Sequence, residues 1–223
     1  MITFIRFFIL GTLAFVVSAC ATLKSPVDND FRLGPNSTNG LAFGTVTQPI
    51  VDVLLKPNTV YVFESIDGKI SFEVKAYDIQ LLGIKGRDKI GNNEGQMFAV
   101  ELPAGTYKIN RWVVRIGYAY NTTRHPLKPF YFEVQPGKAT YIGELNSAQG
   151  QSWNTPGTAH VGVYNGGLLT PKVYWYPRII DQTRRDLALF RNQYPNMKSI
   201  KVLKHIQHIG PLQTIEQNQT NNN

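Results

Sequence analysis

Phe132–Leu145 reads FEVQPGKATYIGEL. Phe132 and Val134 alternate with Glu133, and Thr140-Tyr141-Ile142 is a β-branched and aromatic run, so both ends favour extended chain. Between them, Gln135-Pro136-Gly137-Lys138 has the chemistry of a type II turn: Pro fixes φ at the second position and Gly supplies positive φ at the third. Two strands joined by such a turn predict a hairpin. The same grammar occurs twice upstream. Asp67-Gly68 separates two runs at the spacing of a two-residue hairpin, where both central residues want positive φ. Pro103-Ala104-Gly105 suits a type I turn closed by a left-handed Gly.

Working outward, strands are predicted at Leu41–Thr47, Thr59–Ser65, Lys69–Tyr77, Gln96–Leu102, Thr106–Tyr118, Phe130–Gln135, Thr140–Leu145, Ala159–Tyr164 and Lys172–Tyr176. Short apolar runs with no long helical period between them argue a mainly β fold, an antiparallel β-sandwich or a barrel. The period inside the runs is two. In Lys69–Tyr77, Ile70, Phe72, Val74 and Ala76 face one way and Ser71, Glu73 and Lys75 the other. Strict alternation over Thr106–Ile116 sets Tyr107, Ile109, Arg111, Val113 and Arg115 against Lys108, Asn110, Trp112, Val114 and Ile116, and apolar residues on both faces near Trp112 mark a central strand.

Glu101–Ile109, ELPAGTYKI, together with Phe132–Leu145, resembles the transthyretin-like and immunoglobulin-like sandwiches of secreted and envelope proteins. The resemblance falls within Glu101–Leu145, about a fifth of the chain, rests on turn grammar, and implies a fold but no function.

Composition agrees with a packed protein: 43% of the 223 residues are hydrophobic, enough for one sizeable domain. The formal charge of +8 is unevenly placed. From Lys172 onward there are eight Lys or Arg against three Asp or Glu, whereas Ala21–Pro171 carries fourteen against twelve. A basic C-terminal segment beside a membrane invites anionic neighbours, against the plainer reading of a solvated surface.

Met1–Ala19, MITFIRFFILGTLAFVVSA, has one positive charge at Arg6, an apolar run from Phe7 to Val17, then small residues. The run is too short to cross a hydrocarbon core of about 30 Å as a permanent helix, so the segment reads as a cleavable secretory signal. Val17, Ser18, Ala19 and Cys20 resemble the lipobox of bacterial lipoproteins, and Cys20 is the only Cys in the chain. The resemblance implies cleavage between Ala19 and Cys20, diacylglycerol on the Cys20 sulfur and acylation of the new N-terminus. Ala21, where an Asp would resemble an inner-membrane retention signal, favours sorting to the outer membrane in a host with two membranes, and the expected side is its periplasmic face. Residues 20–40, rich in Ser, Pro, Asn, Asp and Gly, read as a lipidated N-terminus and tether.

The sandwich is expected over 41–177 and a helical, basic segment over 178–210. Asp181 is placed to cap a helix over Gln182–Tyr194, with Ile180, Leu187, Phe190 and Tyr194 near one face, Arg184, Arg185 and Arg191 more exposed, and Pro195 ending it. Its expected job is to cover part of the sandwich or its open edge. Beyond it, Met197, Ile200, Leu203, Ile206 and Ile209 recur every third residue alongside Lys198, Lys201 and Lys204. That pattern fits an amphipathic basic helix, and Ile200-Lys201-Val202 equally fits a strand. The three lysines are candidate membrane or partner contacts. The polar residues 211–223 read as a disordered tail.

No catalytic constellation stands out. There is neither a Gly-Xaa-Ser-Xaa-Gly elbow nor a Ser-Xaa-Xaa-Lys motif. His205 and His208 are three apart, but two ligands are fewer than a zinc site needs. Gly86–Gly95, GRDKIGNNEG, has calcium-type oxygens without calcium-loop spacing and reads as a mobile hairpin loop. Trp153, Tyr174, Trp175 and Tyr176 offer a stacking platform for sugars or, more simply, core and edge cover. The reading is a lipid-anchored, non-enzymatic binding or structural module with an envelope protein or glycan partner and with no nucleic acid, metal or cofactor. The alternative is an envelope hydrolase of cell-wall or lipid substrates, with a dispersed site around His125 or His160 and a nearby carboxylate.

Overall fold

In the computed structural model the described residues are 27–34, 36–51, 56–80, 83–85, 88–116, 119–122, 129–150, 159–161, 164–165, 168–169 and 173–207. The strands are β1 (Asn39–Pro49), β2 (Pro57–Ser65), β3 (Ser71–Lys75), β4 (Asp78–Gln80), β5 (Gly83–Lys85), β6 (Asp88–Ile90), β7 (Asn93–Pro103), β8 (Gly105–Ile116), β9 (Ala119–Thr122), β10 (Phe130–Val134), β11 (Ala139–Gly150), β12 (Ala159–Val161), β13 (Tyr164–Asn165), β14 (Leu168–Leu169) and β15 (Val173–Ile180). Helix α1 (Thr183–Gln193), a 3₁₀ turn at Pro195–Met197 and β16 (Val202–Lys204) follow. Among the described residues each of the nine predicted runs contains strand, and the run Ala159–Tyr164 is divided, β12 joining the sheet of β15 while Tyr164 opens β13, which pairs with β14. The sandwich runs past its expected boundary at residue 177, because β15 continues to Ile180 along β11.

Two sheets face each other. The first has the order β12-β15-β11-β1-β7-β6, with β16 also on β11; the second is β10-β8-β2-β3, with β9 also on β8. Their shared core joins Ala42, Val46, Phe98, Val100, Ile142 and Leu145 of the first sheet to Tyr61, Phe63, Phe72, Tyr107, Trp112 and Phe132 of the second. Phe63 organises it, stacked on Phe72 with centroids 4.7 Å apart and edge-on to Phe132 at 5.7 Å. In and around β3 the expected period holds: Phe72, Val74 and Ala76 are buried and Ile70 partly so.

The first sheet is mixed rather than purely antiparallel, since both β1 and β16 run parallel to β11. Two of the three predicted hairpins are corners between sheets. The Pro136-Gly137 turn forms, with Gly137 at φ 64° and the Lys138 N–H on the Gln135 carbonyl at 3.3 Å. Yet β10 pairs with β8 in the second sheet and β11 with β1 in the first, so the turn carries the chain across the core. Pro103-Ala104-Gly105 does the same between β7 and β8. Turn chemistry fixes a reversal, while which face of each strand is apolar decides whether the two strands share a sheet. Asp67-Gly68 does lie in a hairpin, but the loop spans Ile66–Lys69, closed by the Ser65 N–H on the Ile70 carbonyl at 2.9 Å. Only Gly68 in that loop has positive φ.

Two bulges redirect side chains. Across from β8, Val62 pairs with Arg111 and Phe63 with Ile109, leaving Asn110 extra. Strict alternation therefore fails there: Tyr107, Ile109, Trp112 and Val114 all reach the core. The β1–β11 register also shifts, between Phe43 and Thr45, opposite Gly143 at φ 100°. A Cβ on Gly143 would lie 2.9 Å from Ile179 Cγ2, and one on Gly44 would lie 2.3 Å from the Gly143 carbonyl oxygen. The bulge keeps Ile142 and Leu145 inside the sandwich and turns Glu144 to the opposite face.

That opposite face of the first sheet carries a second core. Leu41, Phe43, Met97, Ala99, Ala139 and Tyr141 pack there against Phe190, Tyr194 and Met197. Phe190 stacks on Phe43 with centroids 4.1 Å apart. The helix thus covers a sheet face, giving three layers: second sheet, first sheet, and α1 with its flanking chain. Val27, Phe31 and Leu33 pack on the same cluster, and the Val27 N–H bonds to the Ala99 carbonyl at 2.9 Å. The described part of the expected tether is therefore irregular chain fixed on the domain up to Thr38, and its last two residues, Asn39 and Gly40, already belong to β1. At the other end, β16 extends the edge of β11 where β15 stops, so Val202–Lys204 of the ambiguous basic segment is strand.

Candidate functional site

The interface between α1 and the first sheet concentrates the buried charge among the described residues. Asp186 lies on the stripe shared with Phe190 and Tyr194, at helical spacings of four and eight, and is fully buried with them. β1 and β11 meet it with Thr45, Thr47, Glu144 and Asn146, all buried. Burial of two carboxylates on facing elements demands compensation. Arg185 supplies it from the helix: its Nε reaches Asp186 Oδ1 at 2.8 Å and its Nη2 reaches Glu144 Oε2 at 3.1 Å.

The remaining acceptors are met by neutral donors. Asp186 Oδ2 receives the Tyr141 hydroxyl at 2.8 Å and the Thr45 hydroxyl at 3.1 Å. Thr47 donates to Glu144 Oε1, and Asn146 Nδ2 donates to Thr47 at 2.7 Å. Arg178 closes the row from β15, its Nη2 donating to Asn146 Oδ1 at 2.8 Å. Both oxygens of each carboxylate are engaged, so the cluster is built to hold α1 in one place.

The electrostatics follow from burial. Desolvation raises the Asp186 carboxyl above its usual range, opposed by hydrogen bonds from Tyr141 and the charge of Arg185. Burial acts to lower the Arg185 guanidinium, and the two carboxylates outweigh it, leaving it raised. The Tyr141 hydroxyl is pushed far up, by burial first and then by Asp186. Ahead of the helix, Asp181 falls to about 2, chiefly through its bond from Lys204 and secondarily through Thr183.

Asp181 stands one residue before the N-cap, which is Gln182, and its Oδ1 accepts the Thr183 N–H at 3.0 Å. Its cap-like contact survives the shift because Thr183 opens the helix. Arg184 and Arg191 are exposed as expected; Arg185 is not, its side chain only 28% exposed and turned into the cluster. Lys198, Lys201 and Lys204 are all exposed, but not as one helical stripe: Lys198 follows the 3₁₀ turn, Lys201 precedes β16, and Lys204 in β16 pairs with Asp181.

Trp175 is not part of an open platform. Its ring is fully buried in the sandwich core, with Nε1 lacking a hydrogen-bond partner among the described residues. Tyr176 is half-buried, 6.0 Å from the Arg178 guanidinium. Trp153 and the Tyr174 side chain lie outside the described residues. His205 is exposed, its ring edge-on to Phe130 at 5.9 Å, and His208 lies outside the described residues, as does His125. His160 lies in β12 opposite Tyr174, its side chain outside the description. Among the described residues no group of three or more His, Cys, Asp or Glu could hold a metal. Of the calcium-like stretch, Asp88–Gly95 lies in the β6–β7 hairpin, and its Glu94 is buried with Oε1 accepting from Gln48 Nε2 at 3.1 Å. The lipobox, Val17–Cys20, and residues 211–223 lie outside the described residues.

The sequence carried one unused signal for the cluster: an acidic residue on an otherwise apolar helical stripe, four before Phe190. Glu144 gave none, because its face depends on the Gly143 bulge. Comparison of the chain with family models, curated proteins and solved structures finds no match.

Proposed function

We propose that this chain is an exported, lipid-anchored lipoprotein of the cell envelope, whose three-layer β domain acts as a non-enzymatic binding or structural module at the membrane–periplasm interface. The observation that carries the reading is the ordered N-terminal sequence of charge, apolar run, small residues and sole cysteine, ending in Val17-Ser18-Ala19-Cys20. Two or three acyl chains, at about 0.8 kcal/mol per buried CH₂, hold a protein on a bilayer without help from its folded part. The build of the domain supports a holding role: the buried Asp186 and Glu144 carboxylates are saturated by Arg185, threonine and tyrosine donors. Outer-membrane placement, on the periplasmic face, and an envelope protein or glycan partner belong to the same proposal.

The test is metabolic labelling with palmitate. Wild-type chain is expected to incorporate label and fractionate with outer membranes, and Cys20→Ser to lose both. Unlabelled wild type, with unaltered processing of Cys20→Ser, would sink the reading.

A further inference from the structure

Resting on acylation of Cys20, we infer that the outward face of the α1 layer is the surface that lies against the membrane, and that Arg184, Arg191 and Lys198 on it meet anionic phospholipid headgroups. The chain's exit point sets this orientation. Val27 is fixed to the α1 side of the first sheet by its bond to the Ala99 carbonyl and by packing on the second core. Seven residue steps separate it from Cys20, a reach of about 25 Å when fully extended. A domain of this size is on the order of 40 Å across. The leash therefore reaches the bilayer readily from the α1 side and is too short to wrap around to the far side of the second sheet.

The layer brought to the membrane has the matching charge. Its exposed side presents Arg32, Arg184, Arg191, Lys198 and Lys204 against Asp28, Asp30 and Asp181, and Asp181 is already paired with Lys204. Leu189, 37% exposed on the same helix, adds an apolar contact beside arginine stems that can lie along lipid while their heads stay wet. The far face is different: on the second sheet Lys108 pairs with Glu64 and Arg115 with Glu73, which leaves little net charge there. Bound this way, the protein would present the second sheet, with Tyr131 exposed upon it, to the periplasm.

The test uses the mature lipoprotein in phosphatidylcholine vesicles with or without phosphatidylglycerol. An environment-sensitive maleimide dye is placed at Ala188→Cys, on the exposed side of α1, or at Tyr131→Cys. The dye at residue 188 is expected to brighten and shift blue when phosphatidylglycerol is present, and the dye at 131 to stay wet. Each basic residue brought to an anionic surface changes the ratio of docked to undocked protein about fivefold, so Arg184→Glu, Arg191→Glu and Lys198→Glu together should shift it at least on the order of 100-fold and abolish the response. Equal wetness at both positions, or drying at 131 instead, overturns the orientation. Drying at 188 that ignores phosphatidylglycerol overturns the anionic-headgroup assignment. Failure of the anchor shows separately: wild type, with Cys20 free, would itself take up maleimide and not float with vesicles, and the orientation would fall with it.

Discussion

Replacing Arg185 with Met should cost about 2–4 kcal/mol of unfolding free energy at neutral pH, and most of that cost should vanish on mild acidification. Removing one partner of a buried ion pair costs about 3–5 kcal/mol, because the other charge is left without compensation. Here one cation serves two carboxylates, Asp186 and Glu144, whose side chains are 0% and 3% exposed. The Arg185 side chain is itself 28% exposed, so water offsets part of the loss and the lower figure follows. The pH dependence has a definite sign. Burial already holds the Asp186 carboxyl above its usual value, and without Arg185 it rises further. A carboxyl whose folded pKa exceeds its unfolded value of about 4 binds protons better in the folded state. Stability then falls as pH rises from about 4 through the raised Asp186 value, and returns as pH drops, at about 1.4 kcal/mol per unit of separation. The assay is urea unfolding of Arg185→Met and wild type between neutral pH and about pH 4.5, followed by tryptophan fluorescence and near-ultraviolet dichroism. Adding Glu144→Gln should recover part of the loss at neutral pH by removing one stranded charge. A gap below about 1 kcal/mol, or one indifferent to pH, would refute the assignment of Arg185 as the counter-charge that lets α1 dock.

Phe190→Ala, which removes a fully buried ring stacked on Phe43, should cost about 3–5 kcal/mol in the same unfolding assay and expose Val27–Leu33 to proteolysis. Gly143→Ala must force positive φ on a residue with a side chain and press a Cβ on Ile179, so a loss of about 2–4 kcal/mol is expected; a neutral outcome would show that Gly143 needs neither the bulge nor the close approach. Asp181, held at about 2 chiefly by Lys204, stabilises the fold above the unfolded carboxylate value of about 4 and loses that contribution as pH falls toward 2. Lys204→Ala should therefore raise the Asp181 pKa, followed by carboxyl NMR titration, while changing stability at neutral pH by less than about 1 kcal/mol.

The strands were legible because each carries its own two-residue period and β-branched or aromatic content, as in Phe72, Val74 and Ala76. What joins them was not. Gln135-Pro136-Gly137-Lys138 and Pro103-Ala104-Gly105 specify reversals equally suited to a hairpin or to a corner between sheets, and only partner choice far along the chain decides. Bulges at Asn110 and Gly143 add one residue and exchange the two faces beyond them, which no pattern of period two can anticipate. Helix α1 was readable from its apolar stripe and from Pro195, but the reading of Arg185 as exposed failed because a long side chain on the flank of a helix can fold back toward a buried acid. The charge cluster itself joins Thr45 to Asp186, which are 141 residues apart, a pairing that rests wholly on tertiary structure.

The parallel pairing of β1 with β11 sets a schedule for folding. Leu41 lies opposite Ala139, so one edge of the most buried strand stays open until nearly a hundred further residues have been delivered. Closing so wide a loop is entropically slow, and topologies dominated by distant partners fold in milliseconds to seconds rather than microseconds. If the chain is exported as proposed, threading through a translocon from its N-terminus leaves a sticky ribbon of Leu41, Phe43 and Val46 waiting in the open for that interval. A holdase, or rapid provisional pairing with β7, is what such a nascent chain requires to escape aggregation.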